Sequence, residues 1–93
     1  ERHPSLAQSA AKRLNLLGIT GVHIRTADGQ AGWAEQAPFA RVIITAASDV
    51  VPPIIWEQLR EGGVLIAPIG PPSKQTLQQL RKHDGCAVSA PLL

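Results

Sequence analysis

The sequence predicts an α/β fold, an open and mostly parallel sheet with helices packed on its faces. Three observations carry this. Segments with helical and strand periodicity alternate along the chain, which calls for crossover connections within one sheet. Two short runs, residues 41–46 and 64–69, are dominated by apolar and β-branched residues. Strands buried on both faces read this way, and they belong to parallel sheets covered by helices. Glycine and proline clusters punctuate the boundaries between these segments.

Pro4 suits a first helical turn, where its missing N–H costs nothing. Leu6, Ala10, Leu14 and Leu17, with Ala7 and Ala11, then mark one apolar face, and Gly18 is a C-terminal glycine signal, so residues 4–17 are expected to be helical. Val22, Ile24 and Thr26 alternate with His23 and Arg25, which predicts a short strand nearer an edge than the centre. Ala27, Asp28 and Gly29 turn the chain, and residues 30–40 read as loop with one helical turn near Trp33 to Gln36. The run 41–46 is a buried strand. Pro52 and Pro53 open a second helix whose inner face is Ile55, Trp56 and Leu59, stopped by Glu61, Gly62 and Gly63. Residues 64–69 form another buried strand, with an interrupted ladder expected at Pro68. Residues 75–82 fit either strand or helix. Asp84 and Gly85 signal a turn, and a further strand is expected over 87–93.

Composition narrows the function classes. The chain has 93 residues, of which 44% are hydrophobic, so a modest core is possible. Its aromatic residues are Trp33, Trp56 and Phe39, leaving Ile, Leu, Val and Ala to fill that core. Nine Lys and Arg face seven Asp and Glu, for a net charge of +2. The basic residues are scattered and few aromatics accompany them, so no nucleic-acid partner is expected. No apolar run approaches the roughly 18–20 residues of a membrane span. The single cysteine, Cys86, excludes an internal disulfide framework and suits a reducing cytoplasm. With nothing nearby to lower its pKa, it reads as a small packing or turn residue. His3, His23, His83 and Cys86 lie without metal-ligand spacing, so no metal is expected. The absence of methionine and of any signal-peptide pattern implies a chain that is processed or cut from something longer.

In an open α/β sheet, ligands sit beyond the carboxyl ends of the strands. Three places qualify: Glu1 (if a strand precedes it), Asp28 with Gly29, and Thr45 with Ala46. A carboxylate just after a strand accepts hydrogen bonds from both hydroxyls of a ribose. Asp28 can accept from an exocyclic purine amine, while Gly29 lets a ring approach the backbone. Taken singly, these positions also read as a solvated terminus and an ordinary Asp-Gly turn. Trp33 could stack on a ligand, although anchoring a loop or core is the commoner role for such a residue.

Five segments together carry a resemblance. They are Glu1 and Arg2 followed by a Pro-started Ala/Leu helix; Ala27, Asp28 and Gly29 with Gly32 and Trp33; Ala37, Pro38 and Phe39; Val42 through Ala47; and Gln58 through Gly63 leading to Pro68, Ile69 and Gly70. In this order the sequence resembles the protein-L-isoaspartate O-methyltransferase family across nearly its whole length. The resemblance implies a class I, Rossmann-like S-adenosylmethionine-dependent methyltransferase sheet, with residues 1–93 a partial domain that lacks the first strand. It implies that Glu1 holds the cofactor ribose with Arg2 beside it. Asp28 and Gly29 then lie at the adenine, and Thr45, Ala46 and Ala47 near the substrate cleft. Catalytic residues and the Gly-rich cofactor loop are expected upstream of residue 1. The implied cofactor is S-adenosyl-L-methionine, and the implied partners are damaged proteins or peptides containing isoaspartyl residues, in a cytoplasmic setting. The implied activity is methyl transfer to the isoaspartyl α-carboxyl; the ester then closes to a succinimide that opens partly to normal aspartate. Oligomeric state is left open, with a monomer expected for the parent.

Ala40 departs from the Asp common in the family before this strand, which is expected to loosen the 28–40 loop. A fragment lacking a central strand is also expected to fold poorly alone and to be inactive by itself. Two alternatives stay open: a related methyltransferase acting on RNA or a small molecule, and a non-catalytic remnant that kept the sheet as an interaction module.

Overall fold

The computed structural model describes residues 1–92, and its contacts divide the chain into two compact units, Glu1–Ala31 and Gly32–Leu93. The first unit carries helix α1, Pro4–Leu16. Pro4 occupies the first turn as expected, and Leu17 and Gly18 close the helix through N–H donations to the Arg13 and Asn15 carbonyls. Gly18 adopts φ 70°, the left-handed conformation that ends helices on glycine. Of the expected apolar face, Ala7 is buried and Ala10 and Leu14 are half-buried, whereas Leu6 and Leu17 are exposed.

The strand expected over residues 22–26 does not form. What does form, at the end of that segment, is one pair of main-chain bonds to Glu1. The Glu1 nitrogen donates to the Arg25 carbonyl at 3.2 Å, and the Ala27 N–H donates to the Glu1 carbonyl at 3.0 Å. One residue bonded to positions 25 and 27 is the repeat of a parallel ladder. A single step is too short to make a strand, which is why the alternating pattern leads to no regular element. Short 3₁₀ turns follow at Gly29–Ala31 in this unit and at Ala34–Gln36 in the second, the latter where a helical turn was expected.

The second unit is a four-stranded sheet in the order β1-β2-β3-β4, with β1 Phe39–Ile43, β2 Leu59–Ile69, β3 Thr76–His83 and β4 Cys86–Pro91. Helix α2, Pro53–Gln58, lies between β1 and β2 in the chain. The expectation of a mostly parallel sheet is corrected here: β1 and β2 pair in parallel, but β2–β3 and β3–β4 are antiparallel. Connection length decides this. The link containing α2 is long enough for a crossover, whereas residues 70–75 and the Asp84-Gly85 turn can only return the chain alongside itself. Asp84 at φ 50° and Gly85 at φ 75° supply the two left-handed residues of a tight hairpin turn. Antiparallel pairing with β2 settles residues 75–82 as strand. The expected final strand forms over Cys86–Pro91, while Leu93 lies outside the described residues.

Helix α2 ends one residue before Leu59, which was expected on its inner face. Leu59 instead opens β2 and is 1% exposed. Residue 59 pairs with Phe39 and residue 64 with Arg41, so residues 60–63, including Gly62 at φ 78°, bulge out between the two registers. The Gly-Gly pair therefore shapes a strand bulge rather than a helix stop. Ala40 lies within β1, and its carbonyl accepts from Arg41 Nη1 at 2.9 Å.

Pro68 interrupts the ladder on one side only. The Ile66 carbonyl and the Gly70 N–H both bond toward the β1 side, so by strand alternation the missing N–H of Pro68 falls there too. Parallel pairing accordingly stops after Ile44 and resumes as a bridge between Ser48 and Ile69. The β3 side continues through Pro68↔Leu77 to Ile69↔Thr76.

The core of this unit is Leu59, Leu65 and Ala67, packed against Val42, Ile44, Val51, Ile55, Trp56, Ile69 and Leu80. It occupies one face of the sheet, beneath α2. Ile43, pointing to the other face, is 70% exposed. Lys82 ties α2 down: its Nζ donates to the Trp56 and Leu59 carbonyls at 3.0 and 2.9 Å and sits 5.5 Å from the Trp56 ring centre. A cation satisfying carbonyls at a helix C-terminus is favourable. Lys82→Met keeps the apolar stem and removes the donors, so a loss of about 2 kcal/mol is expected in urea unfolding.

Candidate functional site

Glu1 and Asp28 stand 27 positions apart in sequence, yet the fold brings them together within the first unit. The main chain of Glu1 is bonded between Arg25 and Ala27, and Asp28 is the next residue. Both residues carry exposed carboxylates, and their main chains meet at this one ladder step. Each is anchored by a local main-chain donor. Glu1 Oε1 accepts from the His3 N–H at 3.0 Å, and Asp28 Oδ1 accepts from the Gln30 N–H at 3.0 Å. The Ala31 N–H closes the turn on the Asp28 carbonyl. Hydrogen-bonding Asp28 to its own backbone two residues on is a typical device for ordering such turns.

Above Gly29 there is open space: a Cβ built on it meets no atom within 4 Å. A flat ring can approach its backbone. Arg2 is exposed beside Glu1. The Glu1 carboxyl is held below its ordinary value of 4.5, chiefly because it accepts from the His3 main-chain N–H. Slight desolvation opposes that shift, and the terminal ammonium and His3 reinforce it. A lowered carboxyl pKa means that this bond is fully present above the ordinary value and is lost as pH falls through the lowered one. The His3 amide resonance should accordingly titrate below pH 4.5 and lose that transition in Glu1→Gln.

Thr45, Ala46 and Ala47 belong to the second unit and extend, exposed, from the carboxyl end of β1. The Ser48 carbonyl behind them accepts from the Gly70 N–H at 3.2 Å, and Ser48 Oγ donates to the Val50 carbonyl at 2.5 Å. Trp33 is half-buried, and its N–H donates to Gln58 Oε1 at 2.8 Å, which fits the loop-anchoring role rather than an open stacking surface. Sequence reasoning missed Lys82, since a lysine in a strand carries no local signal, and placed Gln58 within a family motif without assigning it a contact. Glu61, His83 and Asp84 also come together at the exposed β3–β4 turn. Both Glu61 oxygens there already accept from main chain, the N–H groups of Asp84 and Gly85.

Exposed carboxylates on Glu1 and Asp28, with an open glycine after Asp28, suit a ligand rich in hydroxyl and amine donors. Comparison with known proteins specifies the family. Residues 1–92 match the family described as Protein-L-isoaspartate(D-aspartate) O-methyltransferase. The chain belongs to this family. Among curated relatives, the protein-L-isoaspartate O-methyltransferase of Methylorubrum populi is 46% identical over 83 residues, covering 89% of this chain and 39% of the relative. That of Caulobacter vibrioides strain NA1000 is 45% identical over 85 residues, covering 91% of this chain and 37% of its own length. The chain thus spans less than two-fifths of the curated relatives it matches. A solved protein-L-isoaspartate O-methyltransferase superposes on the whole chain with a TM-score of 0.90 at 29% identity, using 30% of that structure. A structure from Plasmodium falciparum, described as a putative protein-L-isoaspartate O-methyltransferase in complex with S-adenosyl-L-homocysteine, shares the fold. Its TM-score is 0.81 at 24% identity, over all of this chain and 46% of that one. Among the described residues, no helix is long and apolar enough to cross a membrane.

Proposed function

We propose that residues 1–93 are the ribose- and adenine-binding part of one class I S-adenosylmethionine-dependent methyltransferase domain. Its parent transfers a methyl group to the α-carboxyl of L-isoaspartyl residues in damaged proteins. The observation that carries the reading is the approach of Glu1 to Asp28 through the Glu1–Arg25 and Ala27–Glu1 main-chain bonds. Glu1 accepts from the ribose hydroxyls, Asp28 accepts from the adenine amine through the oxygen not used by Gln30, and Gly29 leaves the ring its space. Thr45 to Ala47, after β1, are the substrate-side residues that the family resemblance implies.

The bound cofactor supplies a methyl group already activated by the positive sulfonium. The substrate carboxyl, with a pKa of roughly 3.5, is ionised at neutral pH. The protein therefore needs no general base here. Its residues orient the two partners and exclude water, which agrees with a site of acceptors and turns in place of a nucleophile–base pair.

The test is methyl transfer from labelled S-adenosylmethionine to an isoaspartyl peptide by the complete product of the gene encoding residues 1–93. Labelled peptide that an aspartyl control lacks supports the reading. Methylation of RNA or of a small molecule instead moves the parent to another methyltransferase class. A coding region with no Gly-rich loop upstream of Glu1 removes the enzyme reading and leaves an interaction module.

A further inference from the structure

We propose that Lys74 is a substrate-binding residue, the cation that draws a carboxylate of an isoaspartyl peptide to the carboxyl end of the sheet. The proposal rests on the methyl-transfer reading and on the substrate-side role of Thr45 to Ala47, and every contact that carries it lies inside the second unit. Strands β1 and β2 run in parallel, so the loops that follow them leave from the same end of the sheet. Ligands of such sheets bind there. The loop after β1 runs through Thr45, Ala46 and Ala47, all exposed, to Ser48. The loop after β2 runs from Gly70 to Gln75.

Gly70 joins the two loops. Its N–H donates to the Ser48 carbonyl at 3.2 Å, beside the bridge between Ser48 and Ile69. The same glycine meets Lys74: a Cβ built on it would stand 2.3 Å from the Lys74 carbonyl oxygen. Gly70 also adopts φ 135°, a conformation that residues with a side chain avoid. The Lys74 N–H donates to the Pro71 carbonyl at 2.9 Å and closes the turn. The main chain of Lys74 is thus packed on the residue that bonds the substrate-side loop.

Charge singles out this lysine. Residues 44–52 and 70–75 contain two charged side chains, Asp49 and Lys74. The other Lys and Arg residues of the unit, Arg41, Arg60, Arg81 and Lys82, lie toward the amino ends of β1 and β2 by register. Lys82 already donates to two carbonyls. Lys74 is exposed, and among the described residues its ammonium has no hydrogen-bond or ion-pair partner. Such an ammonium, on a flexible stem, is a point charge for a carboxylate.

In the transfer, a carboxylate oxygen bonds the methyl carbon, the carbon–sulfur bond breaks, and its electron pair neutralises the sulfonium. No proton moves. The negative charge is largest before this step and gone after it. A cation beside the carboxylate therefore stabilises the bound substrate at least as well as the transition state, and acts on KM rather than kcat.

Steady-state methylation by the complete product of the gene encoding residues 1–93 tests this on two end-blocked peptides. One carries the isoaspartyl α-carboxylate alone; the other adds a glutamate beside it. Lys74→Gln should raise KM about threefold at low salt, the size of an exposed ion pair, with kcat unchanged. Lys74→Glu should raise it about tenfold, and Lys74→Arg should restore it. In about 1 M salt, where the Debye length is about 3 Å, the variants should converge. A rise with both peptides assigns the lysine to the reacting carboxylate; a rise with the acidic peptide alone assigns it to the flanking one. Equal KM in the unmodified and Lys74→Gln proteins, or a fall in kcat alone, overturns the proposal and leaves the methyl-transfer reading intact. An unmodified product that methylates neither peptide overturns both.

Discussion

Replacing Leu65 with alanine is expected to cost about 3 kcal/mol, within the range for large-to-small changes at fully buried sites, and to dissolve the sheet. Leu65 is 0% exposed and pairs directly with Leu80 across β2 and β3, at the centre of the cluster beneath α2. Only Ala7, Leu59, Leu65 and Ala67 count as buried hydrophobic residues among those described. A core this small has little stability to lose, since whole domains retain only about 5–15 kcal/mol. Leu6, Leu16, Leu17, Val22 and Ile43 meanwhile stay exposed. The unmodified 93-residue chain should therefore melt over a broad range, with protection concentrated in β2 and β3. Leu65→Ala should abolish that protection while leaving α1 as helical as before. Far-UV circular dichroism and amide exchange read both, and a sharp cooperative midpoint for the unmodified chain would count against the expectation.

The second large effect is on ligand binding. Asp28→Asn keeps an oxygen for the Gln30 N–H, so the turn survives, but it removes the charge. Glu1→Gln does the same at the neighbouring position, whose main-chain pairing is independent of the side chain. Hydrogen bonds to charged groups contribute about 1.5–3 kcal/mol each, which corresponds to roughly tenfold to a hundredfold in affinity. Calorimetric titration of the complete gene product with S-adenosylhomocysteine should show each variant weakened by such a factor. Because the two carboxylates serve one ligand, the double variant should bind too weakly to measure. Binding equal to that of the unmodified chain in either single variant would remove that residue from the site.

Residues whose signal is local were legible in advance. Pro4 and Gly18 bound α1 because a missing N–H and a left-handed φ act on their own segment. The Asp28 turn and the Asp84-Gly85 hairpin follow from the same kind of local chemistry. The run 41–46 reads as a strand and β1 pairs in parallel as expected, but the expected burial on both faces does not follow, since Ile43 is 70% exposed. The motifs from Glu1 to Gly70 also sufficed to name the family to which the chain belongs.

What required tertiary structure was every outcome set by a partner distant in sequence. The alternating residues 22–26 lack a regular strand because a ladder needs a neighbour along its length, and here the described pairing is one step with Glu1. Leu59 left the helix because burying it beneath α2 outweighed one more helical residue. The segment 75–82, ambiguous by periodicity, became strand once β2 offered its open edge, and this turned a sheet expected to be mostly parallel into a mixed one. Glu1 beside Asp28, and Gln58 against Gly32, are likewise encounters that no local pattern encodes. Sequence by itself determined helix α1, the turns and the family, because those rest on propensities and motifs carried by neighbouring residues. Only the tertiary structure decided strand partners, burial and the pairing of the Glu1 main chain beside Asp28, because each depends on hydrogen bonds and contacts between residues that the chain holds far apart.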